Sequence, residues 1–334
     1  CSSDLNPMKY RIPAVALSLV LALGGCRGAE VPAGAADNSE TWKIGISFPT
    51  TDLIYRETMM ELLKEYEKDH PEVDFIIRDG ESSQRRQNRD VLDMLEESVD
   101  GIILIPYTME APVPVIRYAN EKNVPVLILD NEVIRSSTAR TIGFVGADHE
   151  KMGEQAAELL VKSLEKRFPE ETSWNVIYLT GVAESSGALD RDEGIRAVLD
   201  QNPRVQVIGT YNGEFTDEKA QSIMEDCLNV YPEIHGVICQ NDLMAEGCVY
   251  ALEAKGMAGS ISVIGIDGQR SVAEKIAEGE IDGTVWQNPE MAVDAVKRLT
   301  DYLEGDLRSG NIYTEIVPLT PDNVQEYLDE GLAW

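Results

Sequence analysis

Polar side chains suited to holding a small ligand recur in this sequence at one kind of place, just after a short apolar run. Asp52, Tyr55 and Arg56 follow the run at 43–48, and Asp130 and Asn131 follow the run at 124–129. Arg191 lies on the loop and helix start after 175–179, and Phe215 on the loop after 205–210. Gln240, Asn241 and Asp242 follow 236–239, Asp267 and Gly268 follow 262–266, and Gln287 and Asn288 follow 283–286. A hydroxyl both gives and takes a hydrogen bond, and Asp, Asn, Arg and Gln supply donors and acceptors in pairs. Aromatic rings stack on the C–H faces of a sugar, a role open to Tyr55, Phe215 and Trp286. Each position also has a plainer reading. Asp130 and Asn241-Asp242 cap turns and helices, Arg191 sits in a surface ion pair, and Gln287 opens an ordinary helix. Their joint placement favours a shared cleft, because ligands of open parallel sheets bind beyond the carboxyl ends of the strands.

The elements that must position these residues are legible as an alternation. Apolar runs at 43–48, 73–78, 101–105, 124–129 and 141–145 predict strands, as do those at 175–179, 205–210, 236–239, 262–266 and 283–286. Most are continuous Val/Ile/Leu stretches, the pattern of strands covered on both faces. Amphipathic stretches at 54–68, 83–97, 152–167, 187–199, 217–230, 243–254, 272–278 and 290–303 predict helices. The first places Met59, Leu62, Leu63 and Tyr66 on one face. The second starts at a Ser83 cap and spaces Val91, Leu92 and Leu95 helically. Strand and helix in alternation mean βαβ units and parallel sheets. The 334 residues suit two domains, and the rhythm occurs once in each half, as two similar Rossmann-like lobes require.

Composition excludes several functions. With 59 acidic against 29 basic residues, the formal charge of −30 repels phosphate backbones and makes a nucleic-acid partner unexpected. No Gly-x-Ser-x-Gly elbow, Walker loop or dinucleotide fingerprint occurs, and His70, His149 and His235 lack metal-ligand spacing. Asp130 and Asp267 have the types of an acid/base pair but no nucleophile beside them, so no enzyme, cofactor or metal is expected. Cys227, Cys239 and Cys248 fall in helix, strand and helix. They read as buried thiols, with a disulfide among them as the alternative in an oxidising compartment.

The N-terminal segment reads as an address label. Residues 1–7 read as an upstream scar before Met8. Lys9 and Arg11 precede an apolar stretch at 12–23, too short for a membrane span of about 20 residues but suited to a signal peptide over 8–25. Leu23-Gly24-Gly25-Cys26 resembles a bacterial lipobox, which implies lipidation at Cys26. Residues 26–41, poor in apolar periodicity, read as a flexible tether, so that the membrane is met through the lipid anchor only.

Several segments together resemble the ribose-binding-protein-like family of periplasmic sugar-binding proteins, the type I periplasmic binding fold. They are Asp100-Gly101-Ile102-Ile103 leading to Pro106, and Ala119-Asn120-Glu121-Lys122-Asn123-Val124-Pro125-Val126 before Leu129-Asp130. Arg191-Asp192-Glu193-Gly194, Gln240-Asn241-Asp242, Val263-Ile264-Gly265-Ile266-Asp267-Gly268 and Thr284-Val285-Trp286-Gln287-Asn288-Pro289 complete the set. The resemblance runs from about Lys43 to Leu328. It implies an α/β fold of two Rossmann-like lobes with parallel sheets joined by a three-crossover hinge. It implies that Asp130, Arg191, Asn241, Asp267 and Gln287 hydrogen-bond a sugar and that Phe215 stacks on it. It further implies lobes of 42–147 plus 288–315 and 148–287 plus 316–334, with crossovers near Ala147-Asp148, Gln287-Asn288 and 315–318.

Two departures matter. Asn131 stands where such binders carry Arg, and Tyr55 and Arg56 stand where ribose-type members carry adjacent Phe residues. Arg56 therefore either selects a ligand bearing a carboxylate, phosphate or extra hydroxyls, or neutralises Asp52 or Asp130. The expected function is capture of a small polar ligand by hinge closure, outside the cytoplasmic membrane, with delivery by a monomer to ABC permease subunits. The alternative use of the same closure is a ligand sensor facing a chemoreceptor or histidine kinase. A sugar-responsive transcription regulator would need a DNA-binding domain where this chain has its lipobox-like segment.

Overall fold

The computed structural model of the chain describes residues 41–136, 138–306 and 310–334. The scar, leader, Cys26 and nearly all of the tether lie outside the described residues.

The first sheet is built from β1 (Trp42–Phe48), β2 (Val73–Asp79), β3 (Gly101–Leu104), β4 (Val126–Leu129) and β5 (Gly143–Gly146). The helices between them are α1 (Ile54–Asp69), α2 (Gln84–Glu96) and α3 (Val113–Glu121). The strands pair in the order β2-β1-β3-β4-β5, all parallel. β3 and β4 are buried at every residue, as their unbroken apolar runs require. Ser83 caps α2 by accepting the Arg86 N–H, as expected.

α4 (His149–Arg167) then leads to the second sheet of β6 (Trp174–Thr180), β7 (Val205–Asn212), β8 (Gly236–Cys239) and β9 (Ser262–Ile264). Here α5 (Ser186–Leu199), α6 (Asp217–Val230), α7 (Asp242–Ala254) and α8 (Arg270–Glu278) intervene. The order β7-β6-β8-β9 repeats that of the first sheet, strand for strand, and is again parallel. Each order reverses direction once, at β1/β3 and at β6/β8, and such a switch point opens a crevice above the strand ends. The expected α/β class, with two Rossmann-like lobes, is the one found.

The chain passes between the sheets three times. It crosses from β5 into α4, and it returns after β10 (Thr284–Gln287) into α9 (Met291–Leu303), which packs on α1 and on β3 to β5. β11 (Ile312–Tyr313) joins the edge of the first sheet, and β12 (Ile316–Leu319) then pairs antiparallel with β10. α10 (Val324–Asp329) packs against α8. The lobes touch directly: the Met109 N–H donates to the Glu184 carbonyl, and the Glu132 N–H donates to Ser186 Oγ.

The three thiols of the second lobe lie in α6, β8 and α7, all buried and free. Cys239 and Cys248 Sγ are 3.8 Å apart, and burial raises the Cys239 pKa. β11, β12, α3 and α10 have no counterpart in the sequence reading. β11 is two residues long, β12 contains Pro318, α3 starts among Pro112 and Pro114, and α10 is under two turns, so each carries a weak periodic signal.

Candidate functional site

The carboxyl ends of the two sheets face each other across a narrow cavity of about 60 Å³. Nine of the ten ligand positions read from the sequence line it: Tyr55, Arg56, Asp130, Asn131, Arg191, Phe215, Asn241, Asp267 and Gln287. Asp52 does not. It is exposed and lines an adjoining outer compartment.

Each lobe contributes one arginine–aspartate pair. In the first lobe Arg56, from the first turn of α1, donates Nη2 to Asp130 Oδ2 at 2.5 Å, with the side chains only 9% and 4% exposed. The second half of the sequence alternative thus holds: Arg56 neutralises Asp130. In the second lobe Arg191, on α5, donates Nη2 to Asp267 Oδ1 at 3.3 Å and Nη1 to the Gln240 carbonyl at 2.5 Å. This pair is buried, so the plainer reading of Arg191 as a surface residue fails. Asp267 Oδ1 also accepts Gln287 Nε2 at 2.7 Å.

Local sequence explains how these groups reach the cavity. Gly153 on α4 and Gly194 on α5 lie at a backbone-to-backbone crossing. A Cβ at Gly194 would overlap the Glu150 carbonyl oxygen, and one at Gly153 the Arg191 carbonyl oxygen. This close approach brings Arg191 beside His149, the first residue of α4. Asp130 (φ 62°), Phe215 (φ 64°) and Asp267 (φ 140°) adopt left-handed backbone that costs a non-glycine residue about 1–3 kcal/mol. Phe215 lies over Gly181, where any side chain would collide with its ring. The Asp267 loop is held from beneath: Asp242 Oδ2 accepts the Gly268 and Gln269 N–H groups, and Oδ1 accepts the Thr284 hydroxyl. Burial and the neighbouring Asp267 push Asp242 up to about 8.

Two residues act differently from their sequence reading. Asn241 caps α7 with Oδ1 on the Met244 N–H and pins the Phe215 carbonyl with Nδ2, so its plainer role is present even though it borders the cavity. Trp286 is not in the cavity. Successive strand residues point to opposite faces, so with Gln287 turned inward Trp286 packs edge-on against Tyr327 at 5.9 Å.

Sequence reasoning missed His149, Ser185 and Gln269, which also line the cavity. His149 Nε2 is 2.9 Å from the Asp130 carbonyl oxygen. Burial, followed by the Arg191 charge, lowers its pKa to about 4, so the ring is neutral at pH 7. A carbonyl only accepts, so Nε2 carries the proton and Nδ1 is a bare acceptor. Extending the rule of residues after each strand to β5 would have found His149, and following the β9 loop two residues further would have found Gln269.

The electrostatics are balanced. Burial alone would raise Asp130, yet Arg56, His149 and Arg191 hold it below the ordinary Asp value. Burial outweighs Arg191 and Gln287 at Asp267 and lifts it to about 6. Of the eleven buried side-chain polar atoms without a partner among the described residues, five belong to the cavity: Asp130 Oδ1, His149 Nδ1, Arg191 Nε, Gln269 Oε1 and Gln287 Oε1. Buried polar groups are normally satisfied, so this concentration marks where a ligand's own donors and acceptors belong. No group of three or more His, Cys, Asp or Glu suited to a metal occurs among the described residues.

Two switch-point lobes with a polar cavity between them define a protein that binds a small ligand between domains. The chain belongs to the family described as periplasmic binding protein domain, whose profile matches residues 44–307. The family consists of solute-binding proteins that work outside the cytoplasmic membrane, not of enzymes. The chain is 28% identical to the ribose import binding protein of Bacillus subtilis, over 76% of this chain and 79% of that protein. It is 26% identical to the galactofuranose-binding protein of Escherichia coli, over 76% and 80%. A solved ABC transporter solute-binding protein from Bacillus halodurans, with bound myo-inositol, superposes with a TM-score of 0.81 at 25% identity. That match covers 88% of this chain and 99% of the other. Among the described residues no helix is long and apolar enough to cross a membrane.

Proposed function

We propose that this chain is the solute-binding component of an ABC importer and takes one small, neutral, hydroxyl-rich ring between its lobes. The observation that carries this reading is the charge-balanced pair of pairs, Arg56–Asp130 and Arg191–Asp267, beside five buried polar atoms without partners. Four of those atoms accept and one donates, a set that suits hydroxyls. With both arginines engaged and His149 neutral, no spare cation for a carboxylate or phosphate lines the cavity among the described residues. Ribose, galactofuranose and myo-inositol, the ligands named for the relatives, share this chemistry of a small ring bearing several hydroxyls.

In this reading Asp130 and Asp267 accept ring hydroxyls, Arg191 Nε, Asn131 and Gln287 complete the hydrogen bonds, and Tyr55 and Phe215 cover the C–H faces. Asn241 holds Phe215 in place, and Asp52 meets the ligand at the mouth. The two lobes, 42–147 plus 288–315 and 148–287 plus 316–334, close about the three crossovers, and the permease recognises the closed form. The chain works as a monomer, anchored by lipid at Cys26 through the tether.

Isothermal titration against neutral monosaccharides, cyclic polyols and sugar acids tests the reading. A neutral compound is expected to bind at micromolar Kd or better, about −8 kcal/mol, and Arg191→Ala is expected to abolish the heat. Selective binding of sugar acids, or of none of the panel, refutes it.

A further inference from the structure

The cleft does not end at the inner cavity. An outer compartment of about 380 Å³ adjoins it. Leu53, Arg56, Asn131, Ser185 and Phe215 wall both, so the two are continuous. The inner space, at about 60 Å³, admits roughly five waters, hence one small ring and no more. The outer space is within the range of ordinary ligand pockets, about 300–1,000 Å³.

Its lining comes from both lobes. Thr50, Asp52, Ser82 and Tyr107 face it from the first, and Asn212 and Thr216 from the second. Hydroxyls, amides and a phenol supply its neutral polar groups, set among apolar Pro49, Leu53, Val182, Ala183 and Phe215, a mixture that suits the hydroxyls and C–H faces of a sugar. The Phe215 ring is seated over Gly181 and forms part of the partition between the compartments. Asp52 and Glu214 are exposed carboxylates, Glu214 paired with Lys219 at 2.6 Å, and among the described lining residues the one cation, Arg56, is committed to Asp130.

From this geometry we infer that the outer compartment is a second subsite and that the preferred ligand is a neutral glycoside: one ring in the inner cavity, joined to a second sugar or polyol outside it. This rests on the sugar-binding reading of the inner cavity and deepens it. A second unit touching both lobes adds hydrogen bonds that exist only in the closed form, so it strengthens closure as well as affinity. An anionic substituent such as a phosphate would meet the exposed Asp52 carboxylate, while Arg56 is held by Asp130 and Lys219 by Glu214, and is disfavoured.

The test is a paired titration of the full chain. D-Ribose, D-galactose, L-arabinose and myo-inositol are each compared with their neutral disaccharide or glyceryl glycoside and with their phosphate ester. For the ring that binds, the glycoside is expected to bind about tenfold tighter or more, the increment of one or two hydrogen bonds, and the phosphate ester more weakly. Val182→Trp fills the outer compartment from its wall, and Tyr107→Ala removes its phenol. Both are expected to erase the glycoside's advantage while the free ring keeps its wild-type affinity. Equal affinity for ring and glycoside, preference for the phosphate ester, or variants that weaken both ligands alike would overturn the second subsite. Absence of any binding by the rings and the glycosides would instead overturn the sugar-binding reading itself.

Discussion

The two lobes bring the same pair of residue types to the cleft and give them opposite electrostatic character. In the first lobe Arg56 sits 2.5 Å from Asp130 and holds that carboxyl below its usual value against burial. In the second lobe Arg191 divides its guanidinium between Asp267, at 3.3 Å, and the Gln240 carbonyl. The weaker contact loses to burial, and Asp267 rises to about 6. A pair of residue types therefore does not define a charge state. What decides it is how much of the arginine each carboxylate receives. The first lobe offers a fixed anion, and the second an anion that a modest fall in pH removes.

Breaking the tighter pair should do the most damage. Arg56→Ala leaves Asp130 buried without its main partner, a change that costs about 3–5 kcal/mol in comparable pairs. Arg191→Ala is expected to cost less, about 1.5–3 kcal/mol, the range for hydrogen bonds to charged groups. Asp267 is already closer to its neutral form and keeps Gln287 Nε2. Urea unfolding at pH 7 measures both, and equal losses would mean that the two pairs stand on the same footing.

A smaller effect sharpens the contrast through pH. Asp130 has a folded pKa below its unfolded value, so its contribution to stability is present above about pH 4 and is lost as pH falls through the folded value. Asp267 has the opposite sign. Its folded pKa is raised, so the folded state binds the proton more tightly, and this group's stabilising contribution is full below about pH 4 and lost as pH rises through 6. Ligand hydroxyls donate to the ionised form, so binding expels that proton. Affinity is therefore expected to fall about tenfold between pH 7 and pH 5. Asp267→Asn should flatten the profile, at the price of weaker binding at pH 7. Titration at four pH values reads this directly, and an undiminished slope in Asp267→Asn would assign the proton to another group.

How much of this was legible beforehand follows from the same geometry. The strand runs, their parallel alternation and the residues after them are local signals, and so nine cavity residues could be named from position alone. His149 was lost because the helix reading began at Met152, the first apolar residue; His149, Glu150 and Lys151 carry no periodic signal, although Asp148 caps the helix by accepting the Lys151 N–H. Gln269 was lost because β9 ends at Ile264, and the loop beyond it turns back through positive-φ Asp267 and Gly268. The pairing of Arg56 with Asp130 joins residues 74 apart in sequence. Such a partner is chosen by the fold, so the sequence left Asp52 and Asp130 as equal candidates. Trp286 and Gln287 differ by one residue and hence by one face, and a strand register off by one exchanges core for cavity.

The smallest expected effect concerns a residue whose two readings turn out to be compatible. Asn241 spends both polar atoms on the protein: Oδ1 caps α7 and Nδ2 holds the Phe215 carbonyl. Asn241→Ala should therefore cost about 1 kcal/mol as a lost cap, and it also releases the strained Phe215 loop. Asn241→Asp keeps the capping oxygen but presents an oxygen to the Phe215 carbonyl, so it should retain most of the stability and lose the pin. If Asn241 acts on the ligand only through Phe215, both substitutions are expected to weaken binding alike, less than about tenfold, while melting temperatures separate them. If Asn241 instead contacts the ligand directly, Asp and Ala should differ in affinity, because a carboxylate accepts hydroxyl protons and a methyl group does not.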